Sequence, residues 1–380
     1  LSNSSEPLYT KYRPKKLSDI VGQDVVVRVL TNSFNNGTLH HAYIMSGKMG
    51  TGKTSTGRIL AAMVNCEKGP RLEPCGECKT CKEIFVGMSV DVKEIDAASN
   101  RGIDDIRELK KDVWFAPISC RKKFIIVDEC HSLSGPAAEA MLKLIEEPPD
   151  NVMFALCTTE PEKLKDTIHS RCISFTFRSI PWPELFKFVA KITKLENREV
   201  DEEALKFIGK SAKGSARNAL QNLQFVFDYA ESGLINLDIA QKALGDIDES
   251  LYYKLVEAIA DDKIPDAWKM VSELMVKGKN SEIIVEGLET YLRNLMLIPL
   301  CQDVAHEMGF SEQEIKRFVY QSRKIKPILA IEMQGLLQDV QRSISLNLSP
   351  EHALCRFIIA SIIVKKKLSA KKVKQEQGAK

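Results

Sequence analysis

The chain has 380 residues, 44% of them apolar and 28% charged, with a net charge of +3. This is the composition of a folded globular protein too long for a single core, so two or three domains are expected. No run of about 18 apolar residues is present, which excludes a membrane-spanning helix. The polar stretch Leu1–Tyr12 also lacks an apolar signal core, so a cytoplasmic protein with no membrane partner is expected.

In chain order, the first patterned element is the apolar run at 43–46, which ends in a glycine-rich turn. Thr54–Val64 then places apolar residues at helical spacing, giving strand, loop and helix. The loop, Gly47-Lys48-Met49-Gly50-Thr51-Gly52-Lys53-Thr54, fits G-x-x-x-x-G-K-[ST] without a gap. Its glycines let backbone N–H groups close round phosphates, and the helix that follows points its N-terminus at them. Lys53 is expected to reach the β- and γ-phosphates of ATP, and the Thr54 hydroxyl to ligate Mg2+. A plain glycine-rich turn is the alternative, but it does not require a strand before and a helix after.

Cys66, Cys75, Cys78 and Cys81 fall within sixteen residues, while six further cysteines are scattered. Four thiolates suit tetrahedral Zn2+ and leave no open position, so a structural zinc site is the favoured reading. An iron–sulfur cluster or a redox pair at Cys78 and Cys81 would use the same residues.

Two more buried strands are expected at Phe124–Val127 and Val152–Cys157, and helices at Gly102–Trp114 and Gly135–Glu146. Strands alternating with helices imply a parallel sheet covered on both faces. The strand at 124–127 ends in Asp128-Glu129, and acids at the carboxyl end of a parallel strand reach the ligand crevice. Asp128 is expected to hold Mg2+ and Glu129 to orient and polarise the attacking water; taken alone, such a pair also reads as a solvated turn. Phosphoryl transfer needs charge-neutralising cations. Arg171 and Arg217 are the candidates, although either is also an ordinary surface arginine.

After about residue 180 the patterns become helical. Pro181 and Pro183 break the chain, helices are expected at 184–195, 201–212, 215–230 and 237–243, and longer amphipathic helices over 248–366. Seven lysines against one glutamate make 365–380 strongly basic, leaving the rest of the chain near −3. Such an end reads as a solvated tail, or as a weak, salt-sensitive attraction for nucleic acid.

With these residues assembled, the chain resembles the gamma/tau subunits of the bacterial DNA polymerase III clamp loader, which are AAA+ ATPases. The resemblance runs from about Leu8 to Gly245. It includes Lys11-Tyr12-Arg13-Pro14 and Val21-Gly22-Gln23, similar to the family's nucleotide-base motifs, and His40-His41-Ala42-Tyr43 leading into the phosphate loop. The four cysteines, Glu94-Ile95-Asp96-Ala97-Ala98-Ser99, Asp128-Glu129-Cys130-His131 and Leu144-Ile145-Glu146-Glu147-Pro148-Pro149 also match. The resemblance implies an AAA+ P-loop core over 1–178 with a zinc module at 66–81. A helical lid over 179–245, a helical collar over 246–366 and a disordered basic tail over 367–380 would follow.

It further implies that Tyr12, Arg13 and Val21 help bind ATP, that Thr159 is the first sensor and that Arg217 is the lid sensor. Arg171, in Ser170-Arg171-Cys172, is similar to the finger inserted into a neighbouring subunit's site. Two departures stand out: Cys130 where the family more often has valine, expected to be harmless, and Asn218 where it more often has aspartate, expected to alter lid closure slightly. The longer family form adds regions that bind helicase and polymerase, and nothing in this chain resembles them.

The function implied is ATP-driven loading of a sliding clamp onto primer–template DNA, within a five-subunit ring containing delta and delta-prime type partners. DNA would be held mainly through its phosphates, with Ser99, Asn100, Arg101, Arg107 and Lys143 as candidate contacts; each also reads as a solvated helix residue. Two competing readings are a DExH-type helicase, which needs a second α/β lobe, and a ring subunit that does not hydrolyse ATP.

Overall fold

The computed structural model describes residues 6–99, 102–230, 233–245, 249–276, 281–308 and 310–378. The chain forms two compact units, Leu1–Leu244 and Gly245–Lys380.

In the first unit, β1 (Ala42–Gly47), β2 (Val92–Asp96), β3 (Lys123–Asp128), β4 (Val152–Thr158) and β5 (Ile173–Phe177) form one parallel sheet. Their order is β2-β3-β4-β1-β5. Side chains alternate across it with period two. Ile44, Ile125, Val127, Phe154 and Leu156 enter the core on one face. Tyr43, Met45, Phe124, Ile126 and Met153 enter the core on the other. With both faces covered, the central strands are unbroken apolar runs, which is why three of them are legible as sequence. The two left unassigned, β2 and β5, are the sheet edges. Each keeps exposed positions, including Glu94 and Asp96 in β2 and Ile173 and Ser174 in β5.

The helices of this unit are α1 (Leu8–Lys11), α2 (Asp24–Asn35), α3 (Lys53–Asn65), α4 (Lys79–Val86), α5 (Ile103–Val113), α6 (Gly135–Glu146) and α7 (Asp166–His169). A bundle follows: α8 (Trp182–Leu195), α9 (Glu202–Ser211), α10 (Ala216–Tyr229) and α11 (Leu237–Leu244). Ile59, Leu60 and Met63 of α3 pack on one sheet face, and Met141, Leu144 and Ile145 of α6 on the other. The bundle has its own core, built on Leu185, Val189, Ile208, Leu220 and Leu223, which also takes in Leu8 and Ile180. This is a parallel α/β core covered by helices on both faces, as the sequence patterns imply, followed by helices.

The second unit contains α12 (Glu249–Ala260), α13 (Ile264–Val276), α14 (Ser281–Leu297), α15 (Gln302–Glu307), α16 (Glu312–Lys324), α17 (Pro327–Ser345) and α18 (Pro350–Gly378). Val256, Leu288, Leu292, Phe318, Met333 and Phe357 belong to one continuous core. Gln321, fully buried there, accepts from the Tyr291 hydroxyl and donates to the Tyr253 carbonyl and to Glu257. The helix α18 runs on through much of the basic stretch for which disorder is expected. No helix among the described residues is long and apolar enough to cross a membrane.

The start of β3, and with it the acid pair at its end, is fixed by Asp91, which is 2% exposed. Its carboxylate accepts from the N–H groups of Ile118, Ser119 and Cys120 at 2.7–2.9 Å and from the Ser119 hydroxyl at 3.0 Å. Burial raises the Asp91 carboxyl, but these donors outweigh it and hold the pKa below its ordinary value. A depressed carboxylate stabilises the fold fully above its unfolded pKa, near about 3.9, and the contribution is lost as pH falls through the folded pKa. Asp91→Ala is expected to lower the stability of the first unit by about 3 kcal/mol at neutral pH, since three backbone N–H groups and a hydroxyl lose one charged acceptor. Denaturation at a series of pH values should show the gap from wild type closing below about pH 4; a gap independent of pH would contradict the assignment.

Candidate functional site

The turn after β1 depends on backbone that only glycine adopts readily. Gly47, Gly50 and Gly52 have φ of 143°, 76° and 108°. A Cβ on Gly47 would lie 2.2 Å from the Phe177 carbonyl oxygen, and one on Gly50 would lie 2.1 Å from Ser215 Oγ. The loop wraps its own lysine: Lys53 Nζ, almost fully buried, donates to the carbonyls of Gly47 (2.6 Å) and Lys48 (3.0 Å). Thr51 Oγ1 donates to the Lys48 carbonyl at 2.8 Å.

One residue after Lys53, the Thr54 hydroxyl donates to Asp128 Oδ2 at 2.8 Å, joining the first turn of α3 to the end of β3. Glu129 follows with φ 47°, sparsely populated by residues other than glycine. Its carboxylate accepts from Thr159 Oγ1 at 3.0 Å. The phosphate loop, both acids and Thr159 therefore meet at the carboxyl ends of three neighbouring strands, the position where open parallel sheets bind ligands.

A solvent-open cleft of about 900 Å³ lies over this junction, lined by residues 49–54 of the loop, Asp128, Glu129, Tyr12, Arg13, Val21 and Arg217. Its far wall, Tyr9, Ile180, Phe188 and Leu220, is apolar and aromatic, and none of these four is singled out by the sequence reading. They belong to no motif; the chain's return from β5 brings Ile180, Phe188 and Leu220 there, and α1 supplies Tyr9. The N-terminus of α10 closes on the loop: the N–H groups of Ala216 and Arg217 both donate to the Gly50 carbonyl, at 3.1 and 3.4 Å. The Arg217 guanidinium lies 5.3 Å from the Tyr9 ring centroid. Burial, together with the nearby Arg58, lowers the pKa of Arg13, whereas Glu94 and Asp128 act to raise it. The Tyr12 hydroxyl donates to Glu196 at 2.5 Å, and Gln23 pairs with both backbone groups of Arg178.

Arg171 is not among the cleft residues. It is part-exposed, and its guanidinium pairs with Glu146 at 2.8 Å and donates to the Thr167 carbonyl. Ser99, Arg107 and Lys143 are exposed, with Ser99 Oγ donating to Asp96 at 2.7 Å. Asn100 and Arg101 lie outside the described residues. Cys130 is buried, and burial followed by the two preceding acids pushes its thiol up to about 12, leaving it inert.

Sulfurs of Cys66, Cys75, Cys78 and Cys81 all lie within 4.8 Å of one another. Thiolates about 2.3 Å from a tetrahedral Zn2+ sit roughly 3.8 Å apart, so the cluster fits that ion with little adjustment. The Cys78 N–H donates to Cys75 Sγ at 3.3 Å and the Cys81 N–H to Cys78 Sγ at 3.4 Å, which favours thiolate. The N–H groups of Cys78 and Glu77 lower the Cys75 thiol to about 6. Four soft donors supplied by the chain fill a tetrahedral shell, as a structural site requires.

Known sequences show the family of the chain. The family described as "DNA polymerase III, delta subunit" matches residues 22–181. The DNA polymerase III subunit tau of Bacillus subtilis is 38% identical over 294 residues, 77% of this chain and 52% of that one. The subunit gamma of Buchnera aphidicola subsp. Schizaphis graminum is 32% identical over 319 residues, 83% of this chain and 88% of its own length. The corresponding gamma subunit from subsp. Acyrthosiphon pisum is 36% identical, with coverage of 74% and 78%. The chain belongs to the DNA polymerase III gamma/tau family. It spans about half the length of the Bacillus tau subunit and most of the length of the two gamma subunits. The four-cysteine cluster and the P-loop cleft are therefore features of a gamma/tau chain.

Elemental analysis of the purified chain is expected to give about one zinc per chain. Because metal binding and folding are coupled, removing the metal with a chelator, or Cys78→Ser, should lower the thermal midpoint. A metal-free chain with reduced cysteines and an unchanged midpoint would contradict the zinc reading.

Proposed function

We propose that this chain binds and hydrolyses ATP as a motor subunit of a sliding-clamp loader. The observation that carries the reading is the 2.8 Å contact between Thr54 Oγ1 and Asp128 Oδ2 at the floor of the cleft. Neighbouring ligands of an octahedral Mg2+ at about 2.1 Å lie roughly 3 Å apart, so these two oxygens suit one ion. Bound there with ATP, Mg2+ would neutralise charge on the β- and γ-phosphate oxygens. Lys53 leaves the loop carbonyls for the phosphates, and the glycine N–H groups surround them. The aromatic and apolar wall receives the base beside Tyr12, Arg13 and Val21. Glu129 orients and polarises the attacking water, Thr159 holds Glu129, and Arg217 reaches the γ-phosphate as the bundle closes.

On this reading the bundle after residue 178 is the lid and 246–366 the collar of a five-subunit ring with delta and delta-prime type partners. Arg171, presented on the surface of the core, acts on the neighbouring subunit's ATP. Primer–template DNA is held through its phosphates and triggers hydrolysis and release of the clamp. The helicase alternative is disfavoured because only helices, and no second α/β lobe, follow β5 among the described residues. A silent ring subunit is disfavoured because Lys53, Thr54, Asp128 and Glu129 are all present and assembled.

Steady-state ATPase and nucleotide binding, measured with clamp, primed DNA and partner subunits, test the proposal. Lys53→Ala should abolish tight ATP binding, whereas Glu129→Gln should keep binding while turnover falls about 100-fold or more. Arg171→Ala should leave ATP affinity of the isolated chain unchanged and suppress stimulated turnover only in the assembly. Equal loss of binding in the Lys53 and Glu129 variants would refute the roles assigned.

A further inference from the structure

His131 lies on the short turn Cys130–Ser132 that follows Glu129, and only 12% of its side chain is exposed. It is not among the residues lining the cleft. Its Nδ1 is 3.0 Å from Thr158 Oγ1 and 3.4 Å from Glu129 Oε2, and its Nε2 is 3.7 Å from Glu160 Oε1. The same Glu129 oxygen accepts from Thr159, and Thr158 Oγ1 accepts from the Glu160 N–H at 3.0 Å. One imidazole thus stands between the carboxylate at the end of β3 and the loop leaving β4.

A glutamate side chain has three free torsions, and its backbone here already occupies a sparsely populated region. Unless the carboxylate is held, its lone pairs sample many directions, and orienting a water depends on placing one of them within fractions of an ångström. The Thr159 hydroxyl supplies a single tether, about which a carboxylate still pivots. A second contact to the same oxygen from another direction removes that freedom and leaves Oε1 for the water.

We propose that His131 is a positioning residue for hydrolysis: its Nδ1, hydrogen-bonded to Thr158 and 3.4 Å from Glu129 Oε2, holds the carboxylate against the loop after β4. This deepens the reading in which Glu129 orients the attacking water, and it rests on that reading. His131 acts through Glu129, so its loss should slow the chemical step and leave nucleotide affinity alone.

The test is ATPase kinetics and ATP binding of His131→Ala, His131→Asn and His131→Gln in the full chain, in the assembled assay. Asparagine carries its amide nitrogen close to the position of Nδ1, whereas glutamine reaches the position of Nε2. His131→Ala should lower kcat roughly 10- to 100-fold, the scale of a misplaced reacting group. Its KM and ATP affinity should stay within about two-fold of wild type. His131→Asn should recover much of the lost kcat and His131→Gln should not, a contrast that a merely structural role would not produce. Added to Glu129→Gln, His131→Ala should cost nothing further, because the group it positions is gone.

An unchanged kcat in His131→Ala, an Asn variant no better than the Gln variant, or a full additional loss in the Glu129→Gln background would each overturn the proposal. Should His131→Ala prove unfolded, the contrast between Asn and Gln decides. A wild-type chain that neither binds nor hydrolyses ATP refutes the underlying function. A wild-type enzyme that Glu129→Gln disables and His131→Ala does not refutes this inference alone.

Discussion

The hydrogen bond from Thr54 to Asp128 joins the two elements on which the site is built. It connects the first turn of α3, where N–H groups and the helix dipole favour anions, to the end of β3, where an apolar strand delivers two acids. With these ends apart, Lys53, the oxygens of Thr54 and Asp128 and the Glu129 carboxylate would belong to separate pieces of chain. Joined, they form the floor of one cleft. The strand order adds the third part, because β4 lies beside both β1 and β3 and carries Thr158 and Thr159 out at the same level.

The opposite ends of the same two elements are tied as firmly. Asn65, the last residue of α3, accepts from the N–H groups of Arg121 and Lys122 and donates to the Lys122 carbonyl, all within 3.0 Å. The Arg121 side chain donates to the Cys66 carbonyl at 2.6 Å, so the first of the four clustered cysteines is fixed to the chain entering β3. Asp91 holds the adjacent turn. The helix and strand that meet at the phosphate site are thus clamped at both ends, and the cysteine module sits on the clamp remote from the cleft. Its work fits folding and rigidity, consistent with a closed four-thiolate shell.

Much of this was legible in the sequence, for identifiable reasons. The phosphate loop is a local motif whose glycines answer to local backbone demands, as at Gly47 and Gly50. The central strands are legible because burial on both faces leaves no polar interruption. Edge strands lack that signal: Val92-Lys93-Glu94-Ile95-Asp96 has no apolar run and is left unassigned until its pairing with β3 is known. Asp91 and Asn65 carry no sequence signal, and His131 enters only as part of a motif without a role, because what they do depends on partners that tertiary folding brings near. The cleft wall at Ile180, Phe188 and Leu220 is similar, being ordinary core chemistry that happens to face a cavity. Arg171 differs again. It stands outside the cleft, paired with Glu146 on a part-exposed surface, and its proposed role rests on the Ser-Arg-Cys resemblance rather than on any contact within the chain.

The central claim is that the oxygens of Thr54 and Asp128 exchange their mutual hydrogen bond for a shared divalent ion when nucleotide binds. Titrating the chain with a fluorescent ATP analogue, with Mg2+ and with a chelator in its place, tests this directly in wild type, Thr54→Ala and Asp128→Asn. The account predicts that Mg2+ tightens binding to wild type by about ten-fold or more, the loss of one well-placed charged contact being worth roughly 1.5–3 kcal/mol. Both variants should lose that tightening and bind with the affinity of wild type in chelator. Mg2+-dependent tightening that survives intact in both variants would contradict it.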